Sequence, residues 1–331
     1  MSGRWANLAL AVLVPLATLS GIGLFLVGSG PVWLVGVLHG GLSLGLLALV
    51  PWKRPAVQRG LRRLGRAGRE VSIALTWLVL AALLTGLAHL VGLTAGDLPV
   101  TTIQLHVTLG VVATVLTVAH VVQRPVRVRR TDWGRRSLLR AGAVVASAGG
   151  LGAAAAGVAT ALDRSSRRRP TGSFEVGAEA GSVPVTQWFL DGVPSIDAAD
   201  WRLTVVSLEG AHEWSLADLD RRDEVTAVLD CTGGWWAEQT WSGMRLSRLL
   251  PHVDPGGTVL VTSTTGYARR LPLSDDLLLA TTMAGAPLSP GHGAPVRLVV
   301  PGRRGYHWVK WVVRVEVVSG PWWAQPPLPL R

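Results

Sequence analysis

The 331-residue chain is 49% hydrophobic and has a formal net charge of +11, with one cysteine. A single cysteine excludes an internal disulfide and a zinc site built from several thiolates. The basic excess lies in residues 1–162, which hold 15 Lys/Arg against 3 Asp/Glu, whereas residues 163–331 hold 17 against 18. Because the basic residues cluster between long hydrophobic runs, the composition indicates a membrane protein and argues against nucleic-acid binding.

Four apolar runs near the N-terminus are each long enough to cross a bilayer, which takes about 20 apolar residues. They cover residues 5–27, 31–50, 71–93 and 101–122. The first run is too long, and too closely followed by the second, for a cleaved signal peptide. We therefore predict an all-α, four-helix transmembrane domain over residues 1–130.

The loops between these runs predict the orientation of the helices. The loops after the second and fourth runs each hold seven Lys or Arg, whereas the loops at 28–30 and 94–100 hold none. The positive-inside rule places both basic loops and the N-terminus in the cytoplasm, which makes the chain a multi-pass protein of the cell membrane.

Four histidines, His39, His89, His106 and His120, lie in the hydrophobic runs. Ionisable residues in such segments are costly and indicate function. At about 1.5 Å per residue, the first three share a level near the outer face, and His120 lies on the same helix face as His106, four turns deeper. We infer one b-type haem near the outer face, because imidazole is the usual axial ligand of low-spin haem.

His39 and His106 are the preferred ligand pair for this haem, and His89 is the substitute for either. His120 is assigned to a second haem with an unidentified ligand, to a quinone contact or to the inner interface. The segment Leu105-His106-Val107-Thr108-Leu109-Gly110, together with His120, resembles small bacterial membrane cytochrome b modules. A purely structural anchor with hydrogen-bonded histidines is the alternative.

A fifth run, residues 138–162, is rich in Ala, Gly and Val and follows Arg135-Arg136-Ser137-Leu138-Leu139. This start resembles a twin-arginine export signal, which carries folded domains across the membrane. Ordinary positive-inside charges are the alternative for Arg135 and Arg136, and cleavage after Ala159-Thr160-Ala161 is a less favoured one. We assign residues 131–182 to a fifth transmembrane helix and a linker.

The pattern changes from residue 183 onward to short apolar runs broken by Gly, Pro and Asp. Strands are predicted near 201–207, 224–229, 258–263, 296–300 and 309–318, and short helices at 216–219 and 246–250. These elements predict an α+β domain with a mixed sheet over residues 183–331.

Cys231 follows one of these strands and precedes Gly233 and Gly234. The glycines let the backbone turn and let a large group approach closely. A lone thiolate in such a place binds a soft or high-valent metal or acts as a nucleophile. A small, inert core residue is the alternative.

Two blocks of sequence then point to a family. The first is Leu229-Asp230-Cys231-Thr232-Gly233-Gly234-Trp235 with Trp241-Ser242-Gly243 and Leu249-Leu250; the second runs from His292 through Arg297 to Gly302, then Gly305 and Val309-Lys310-Trp311. Their order and spacing resemble the sulfite oxidase family of molybdopterin enzymes, which includes the catalytic subunit of the periplasmic methionine sulfoxide reductase. The resemblance covers residues 183–320.

The resemblance implies roles for several residues. Cys231 would bind molybdenum, Gly233 and Gly234 would give the molybdopterin cofactor room, and His292 and Arg297 would contact the pterin. Arg297 could hold a phosphate of the cofactor bidentately, and Lys310 would add a second cation to that anionic group. Arg303 and Arg304 are further phosphate contacts or a solvated turn, and Tyr267 and Arg269 are either catalytic residues at the substrate mouth or surface residues.

The chain also departs from the family pattern. Trp235 and Trp236 stand where sulfite oxidases have arginine, and Thr186-Gln187-Trp188 is at best the counterpart of their Arg-Asn-His segment. Because an anionic substrate needs convergent cations, a neutral small molecule such as a sulfoxide or N-oxide is favoured over sulfite.

The sequence therefore predicts a membrane-anchored molybdopterin-dependent oxidoreductase with its C-terminal domain outside the cytoplasm. Electron transfer to or from the quinone pool, or another respiratory partner, would pass through haem in the N-terminal helices. The main alternative is a non-catalytic membrane protein with a cofactor-free sensor or binding domain. A transporter is disfavoured because the spans contain no carboxylate and no discernible inverted repeat.

Overall fold

The computed structural model describes residues 3–28, 32–63, 65–93, 100–123, 134–162, 168–177, 182–188 and 191–326. The chain divides into two compact units, Met1–Phe174 and Glu175–Arg331. Part of the predicted second basic loop, residues 124–133, and part of the predicted linker, residues 163–167 and 178–181, lie outside the described residues.

The N-terminal unit is helical. Its helices are α1 (Gly3–Leu26), α2 (Val32–Ala48), α3 (Val50–Arg63), α4 (Arg66–Leu90), α5 (Thr102–Gln123) and α6 (Arg135–Leu162). Among the described residues, four segments are long and apolar enough to cross a membrane: Trp5–Leu26, Gly68–Leu90, Thr102–Gln123 and Arg135–Ala161. Their length and composition suggest membrane association.

Two helices of this unit differ from the expected pattern. The second apolar run forms α2, which is apolar but has only 17 residues, whereas the fifth run, in α6, is of spanning length. Residues 51–63, interpreted as a loop, form most of α3. That interpretation was wrong because Arg, Lys and Gln favour helix, and Pro51 lies in the first turn, where a missing N–H is tolerated.

Small residues bring α2 and α6 into close contact. A Cβ atom on Gly41 would overlap the Ala148 carbonyl, and one on Gly152 would overlap the Val37 carbonyl. A buried cluster of Leu13, Leu42 and Leu49 with small alanines fills the space around this crossing. The helical unit therefore packs through backbone proximity, as is common between membrane helices. The predicted boundaries at residues 130 and 182 remain a prediction.

The C-terminal unit is built on two sheets. Its strands are β1 (Phe174–Glu175), β2 (Arg202–Ser207), β3 (Gly210–Ser215), β4 (Asp223–Asp230), β5 (Trp235–Arg245), β6 (Thr258–Ser263), β7 (Ala268–Pro272), β8 (Leu278–Met283), β9 (Ala286–Pro287), β10 (Arg297–Val299) and β11 (Val312–Val317). One sheet has the order β1-β5-β8-β10, with β4 beside β5 and β9 beside β8; the other has the order β3-β2-β11-β6-β7. β11 is parallel to β2 and antiparallel to β6, so the second sheet is mixed, as predicted.

Most of the predicted short elements are present. Residues 246–249 form a 3-10 turn, Leu246–Leu249, close to the predicted short helix. Residues 216–219 form a turn and not a helix. Here the Asp218 carboxylate accepts hydrogen bonds from the amide and hydroxyl of Ser215, a local arrangement that favours turns over helix.

The core of this unit supports the region around Cys231. Trp241, Leu279, Leu298 and Val309 are fully buried within one hydrophobic cluster that also contains Cys231. β5 and β8 approach so closely that a Cβ on Gly243 would overlap the Leu279 carbonyl. Rigid strands thus fix the positions of Cys231 after β4, Arg297 at the start of β10 and the segment before β11.

Candidate cofactor site

Cys231 lies in the tight turn between β4 and β5. Its amide donates to the Trp235 carbonyl at 2.9 Å, and the Gly234 amide donates back to the Cys231 carbonyl at 3.2 Å. Gly234 has φ of +87°, a conformation that glycine adopts without strain. The Gly233 amide donates to Cys231 Sγ at 3.3 Å, so the turn that the glycines permit also directs an N–H at the sulfur.

The surroundings of the sulfur act on its pKa in opposite directions. Burial raises the pKa of the Cys231 thiol, whereas hydrogen bonds from Gly233 and Thr186 and the charges of Arg304 and Lys310 lower it. Because burial is the larger effect, the free residue is a thiol. A metal that takes the place of the proton would find a sulfur already surrounded by donors and cations.

Arg297 is a buried cation with an incomplete set of partners. The residue is 2% exposed; its guanidinium lies 4.9 Å from the centre of the Trp241 ring, and Nη1 donates to the His292 carbonyl at 3.1 Å. Within the described part of the chain, Arg297 Nε has no hydrogen-bond partner. Burial lowers the pKa of Arg297 to about 10. A buried guanidinium with a free donor indicates a site for an anion.

Lys310 is the second cation of the site. Its ammonium donates to the carbonyls of Gly291 at 2.6 Å and Thr186 at 2.9 Å, and to Gln187 Oε1 at 3.4 Å. All three acceptors are neutral. Burial, and then the charge of Arg297, lowers the pKa of Lys310 to about 7. Lys310 therefore joins three segments around Cys231 while its charge is not neutralised by a carboxylate among these partners.

His292 is held on both ring nitrogens. Nε2 donates to the Val183 carbonyl at 3.0 Å, and Nδ1 accepts from the Ser289 hydroxyl at 2.8 Å. Burial lowers the pKa of His292, which favours this neutral tautomer. The ring thus anchors the 289–293 turn, whose carbonyls at Gly291 and His292 receive Lys310 and Arg297. A direct pterin contact by His292 stays a prediction.

The two neighbouring arginines have different environments. Arg303 is half-buried, and its guanidinium stacks on Trp322 with 4.3 Å to the ring centre. Arg304 is buried and forms an ion pair with Asp230, the residue before Cys231. Arg304 is therefore the member of the pair that acts on Cys231, and sequence reasoning gave neither arginine this partner.

Tyr267 and Arg269 form a second group next to the first. The Tyr267 hydroxyl donates to the Tyr306 carbonyl, and its ring packs edge-on against Trp188 at 5.9 Å. The Arg269 guanidinium lies 5.3 Å from the centre of the Tyr306 ring, and Nη1 donates to the Pro326 carbonyl at 3.1 Å. Both residues are buried and neither is a surface residue. Their catalytic role at a substrate mouth stays a prediction.

The segment between β1 and β2 was the least expected contributor. Thr186 Oγ1 accepts a hydrogen bond from Trp235 Nε1 at 3.1 Å, and its backbone carbonyl accepts from Lys310. Thr186 and Gln187 thus line the site with neutral groups. In the sequence, only their position pointed to a role, because it corresponds weakly to the Arg-Asn-His segment of sulfite oxidases.

The protein groups at this site fit a metal that brings its own ligands. In the described ranges, no set of three or more His, Cys, Asp or Glu side chains could hold a metal ion. One soft thiolate beside Arg297 and Lys310 instead suits an anionic cofactor that supplies the remaining donors.

In the N-terminal unit, the structure brings together two of the four predicted histidines. The ring centres of His39 on α2 and His106 on α5 are 6.0 Å apart. His39 Nδ1 donates a hydrogen bond to the Ala17 carbonyl at 3.0 Å, and His106 Nδ1 donates one to the Ala82 carbonyl at 2.8 Å. His89 is buried, its Nε2 bonds to the Gly172 carbonyl at 3.0 Å, and its ring packs on Phe174. His120, near the end of α5, is partly exposed.

Comparison with known proteins identifies the C-terminal unit. Residues 190–324 match the family of oxidoreductase molybdopterin-binding domains. This match supports a molybdopterin-dependent oxidoreductase domain in the C-terminal unit. Human sulfite oxidase is 34% identical over 166 residues, which is 38% of this chain and 30% of that protein. Neurospora crassa nitrate reductase is 31% identical over 125 residues, which is 31% of this chain and 13% of that protein.

The chain thus spans less than a third of the length of these two relatives. The crystal structure of the sulfane dehydrogenase SoxCD from Paracoccus pantotrophus aligns over 38% of this chain and 40% of that one, with 30% identity and a TM-score of 0.35. The residues matched by the family model all lie within the C-terminal unit.

Proposed function

We propose that this protein is a membrane-anchored molybdopterin enzyme of oxygen-atom-transfer type that works outside the cytoplasm. It exchanges electrons with a b-type haem and the quinone pool through its own helices. The observation that carries the proposal is the buried Cys231 thiol beside two cations, the buried Arg297 and the half-buried Lys310. Carbonyl groups, an amide oxygen and aromatic rings, not carboxylates, surround those cations.

Each residue of the site has a defined part in this function. Cys231 would give molybdenum its one protein sulfur, and the Gly233 amide would partly neutralise the charge on that sulfur. Arg297 and Lys310 would hold the anionic tail of the cofactor, and the Arg297 guanidinium packs against the rings of Trp241 and Trp308. Molybdenum, when bound, supplies two-electron oxidation and reduction with transfer of an oxygen atom.

The surroundings of Cys231 favour a neutral substrate. Trp235 and Trp236, which follow the cysteine turn, are buried and bring no charge. Arg304, the arginine that acts on Cys231, is already paired with the Asp230 carboxylate. Because an anion needs donors that are not already engaged, we propose a sulfoxide or N-oxide as substrate in preference to sulfite.

The geometry at His39 and His106 supports a haem. Two histidines that would hold one haem iron must lie close together, and each must keep one ring nitrogen for the metal. The two ring centres are 6.0 Å apart. In each ring Nδ1 is bonded to a backbone carbonyl, which leaves Nε2 as the ligand nitrogen and orients the ring, as metal-binding histidines usually require.

Glycines make room for both rings. A Cβ on Gly21 of α1 would lie 3.0 Å from Cε1 of His39, and one on Gly86 of α4 would lie 2.8 Å from Cε1 of His106. His89 is the weaker candidate because its ring packs edge-on against Phe174 and is not paired with either of the other two rings. His39 and His106 would hold the haem iron, and the haem would pass electrons one at a time.

The first test is the metal and haem content of the intact protein purified in mild detergent. We expect about one molybdenum and one haem per chain. Haem without molybdenum, from a host that makes the cofactor, would leave the C-terminal unit as a sensor or binding domain. Molybdenum without haem would reduce the helices to an anchor.

The second test asks which histidine is a haem ligand. His106→Ala should remove the haem absorbance and stop quinol-dependent turnover, while an artificial soluble electron donor still supports substrate reduction. His120→Ala is the matched control on the same helix and should retain the outer haem. A complete haem spectrum in the His106→Ala protein would rule out His106 as a ligand.

A further inference from the structure

A buried ion pair lies immediately beside the proposed metal ligand. Asp230 is the last residue of β4 and directly precedes Cys231, and its carboxylate accepts a hydrogen bond from Arg304 Nη1. The two side chains are 3% and 4% exposed. The backbones of the same two residues also form an isolated parallel β-bridge. Asp230 and Arg304 are therefore joined by side chain and main chain together.

The next residue, Gly305, extends this contact to the cysteine itself. A Cβ built on Gly305 would lie 3.3 Å from Cys231 Cα and 3.3 Å from the Asp230 carbonyl oxygen. The 304–305 segment thus forms one wall of the Cys231 turn. The Asp230 carboxylate is therefore on the residue next to Cys231, and the Arg304 guanidinium is on the residue next to Gly305, which lies against Cys231.

Stability alone is a weak reason for such a pair. Removing two charges from water is costly, and apolar residues of similar volume often stabilise a fold as well or better. Charges in a water-poor interior, however, act strongly on one another and on a nearby metal. Groups just outside the first coordination shell are known to tune a metal in this way.

We propose that the Asp230–Arg304 pair sets the electron affinity of the metal centre held by Cys231. Arg304 favours the reduced, more negative state of the centre, and Asp230 opposes it while fixing the guanidinium in place. Both residues act through Cys231 and are positioning residues. This inference rests on the proposed function, because it requires molybdenum at Cys231.

Variants that each remove one charge distinguish tuning of the metal centre from a purely structural role. Tuning predicts that the two variants shift the midpoint potential in opposite directions. Asp230→Asn leaves the Arg304 charge unbalanced and should raise the Mo(VI)/Mo(V) midpoint potential, measured by redox titration of the Mo(V) electron paramagnetic resonance signal. Arg304→Met leaves the Asp230 charge unbalanced and should lower that potential. The double variant should return close to the wild-type value, and Arg304→Lys should also remain close to it.

The partly exposed pair Arg314–Glu316 on β11 provides the control. Glu316→Gln removes a comparable charge in the same unit and should leave the potential unchanged. The inference is overturned if Asp230→Asn and Arg304→Met shift the potential in the same direction or do not shift it. It is also overturned if every Asp230 and Arg304 variant loses molybdenum. In each case the ion pair would have only a structural role. Wild-type protein without molybdenum would overturn the proposed function first, and its metal content is therefore measured before any variant.

Discussion

At the scale of single residues, Cys231 is the one side chain whose chemistry nothing nearby can replace. The chain has no second cysteine. Cys231→Ser should lower turnover more than 100-fold, because even changes outside the first shell of a metal commonly cost 10–100-fold. The haem absorbance should be unaffected. Steady-state turnover with a quinol donor and the visible spectrum measure the two effects.

The neighbouring variant Thr232→Ser serves as the control for this change, because it alters the same turn and keeps the sulfur. Wild-type turnover in the Cys231→Ser protein would contradict the assignment of Cys231 to molybdenum.

The lowered pKa of Lys310 predicts that the stability of the C-terminal unit depends on pH. This pKa is about 10.5 in the unfolded chain and is lowered to about 7 in the folded domain. Between these pH values the unfolded state binds more protons, so the free energy of unfolding should rise as pH increases from about 7 toward 10. Each unit of pKa difference corresponds to about 1.4 kcal/mol. Thermal unfolding of cofactor-free protein, followed as a function of pH, measures this rise.

Lys310→Met should flatten the pH dependence, whereas Lys53→Met in the helical unit should leave it in place for the C-terminal unit. The dependence should also weaken in protein that contains the cofactor, because an anion beside Lys310 raises its pKa. An equal rise with pH in wild-type and Lys310→Met proteins would contradict this account.

Residues with distinctive chemistry were predictable from the sequence, and their pairings were not. Cys231, Arg297 and Lys310 stand in recognisable blocks, and the structure places all three around one site. The partner of Arg304 lies 74 positions away in the sequence, and no local pattern indicates such a pairing. The hydrogen bond from His292 Nε2 likewise goes to a distant residue, Val183, 109 positions away.

At the scale of elements, the contact between α2 and α6 depends on two glycines. Gly41 and Gly152 allow the helix backbones to approach each other, and a Cβ on either would overlap a carbonyl group of the facing helix. Gly152→Leu should separate the helices and lower the free energy of unfolding in detergent by about 1–3 kcal/mol, the usual cost of overpacking. Thermal unfolding in detergent measures the loss.

Gly150→Leu is the matched control, because no atom lies within 4 Å of a Cβ built on Gly150. It gains the same helix propensity, about 0.8 kcal/mol, without the overlap. Equal melting temperatures for the two variants would show that close approach at Gly152 does not support the helical unit.

Elements with strong periodicity or long apolar runs were predictable, and those decided by local competition were not. The strand at Thr258–Ser263 has the predicted bounds because its apolar residues are bordered by Gly and Pro turns. Helix α3 was missed because its charges resemble those of a cytoplasmic loop. The turn at 216–219 was missed because Ser215 and Asp218 satisfy each other locally.

At the scale of the whole molecule, charge and hydrophobicity divide the chain at the same place. The basic, apolar half corresponds to the helical unit, and the half with balanced charge corresponds to the β-rich unit. A pterin cofactor is normally inserted during folding in the cytoplasm. A catalytic unit that works outside therefore requires an export route for folded domains, and the start of α6 is the candidate signal for that route.

The last prediction tests that signal without changing the charge of the chain. Arg135 and Arg136 are the first residues of α6 and are exposed. Replacing both with Lys keeps the positive-inside bias and removes only the arginine pair that the export system recognises. The C-terminal unit should then remain in the cytoplasm, protected from protease added to intact spheroplasts. Arg140→Lys, on the next turn of the helix, should leave the unit exposed to protease. Equal digestion of the wild-type and double-Lys proteins would mean that these arginines orient the helix by charge alone.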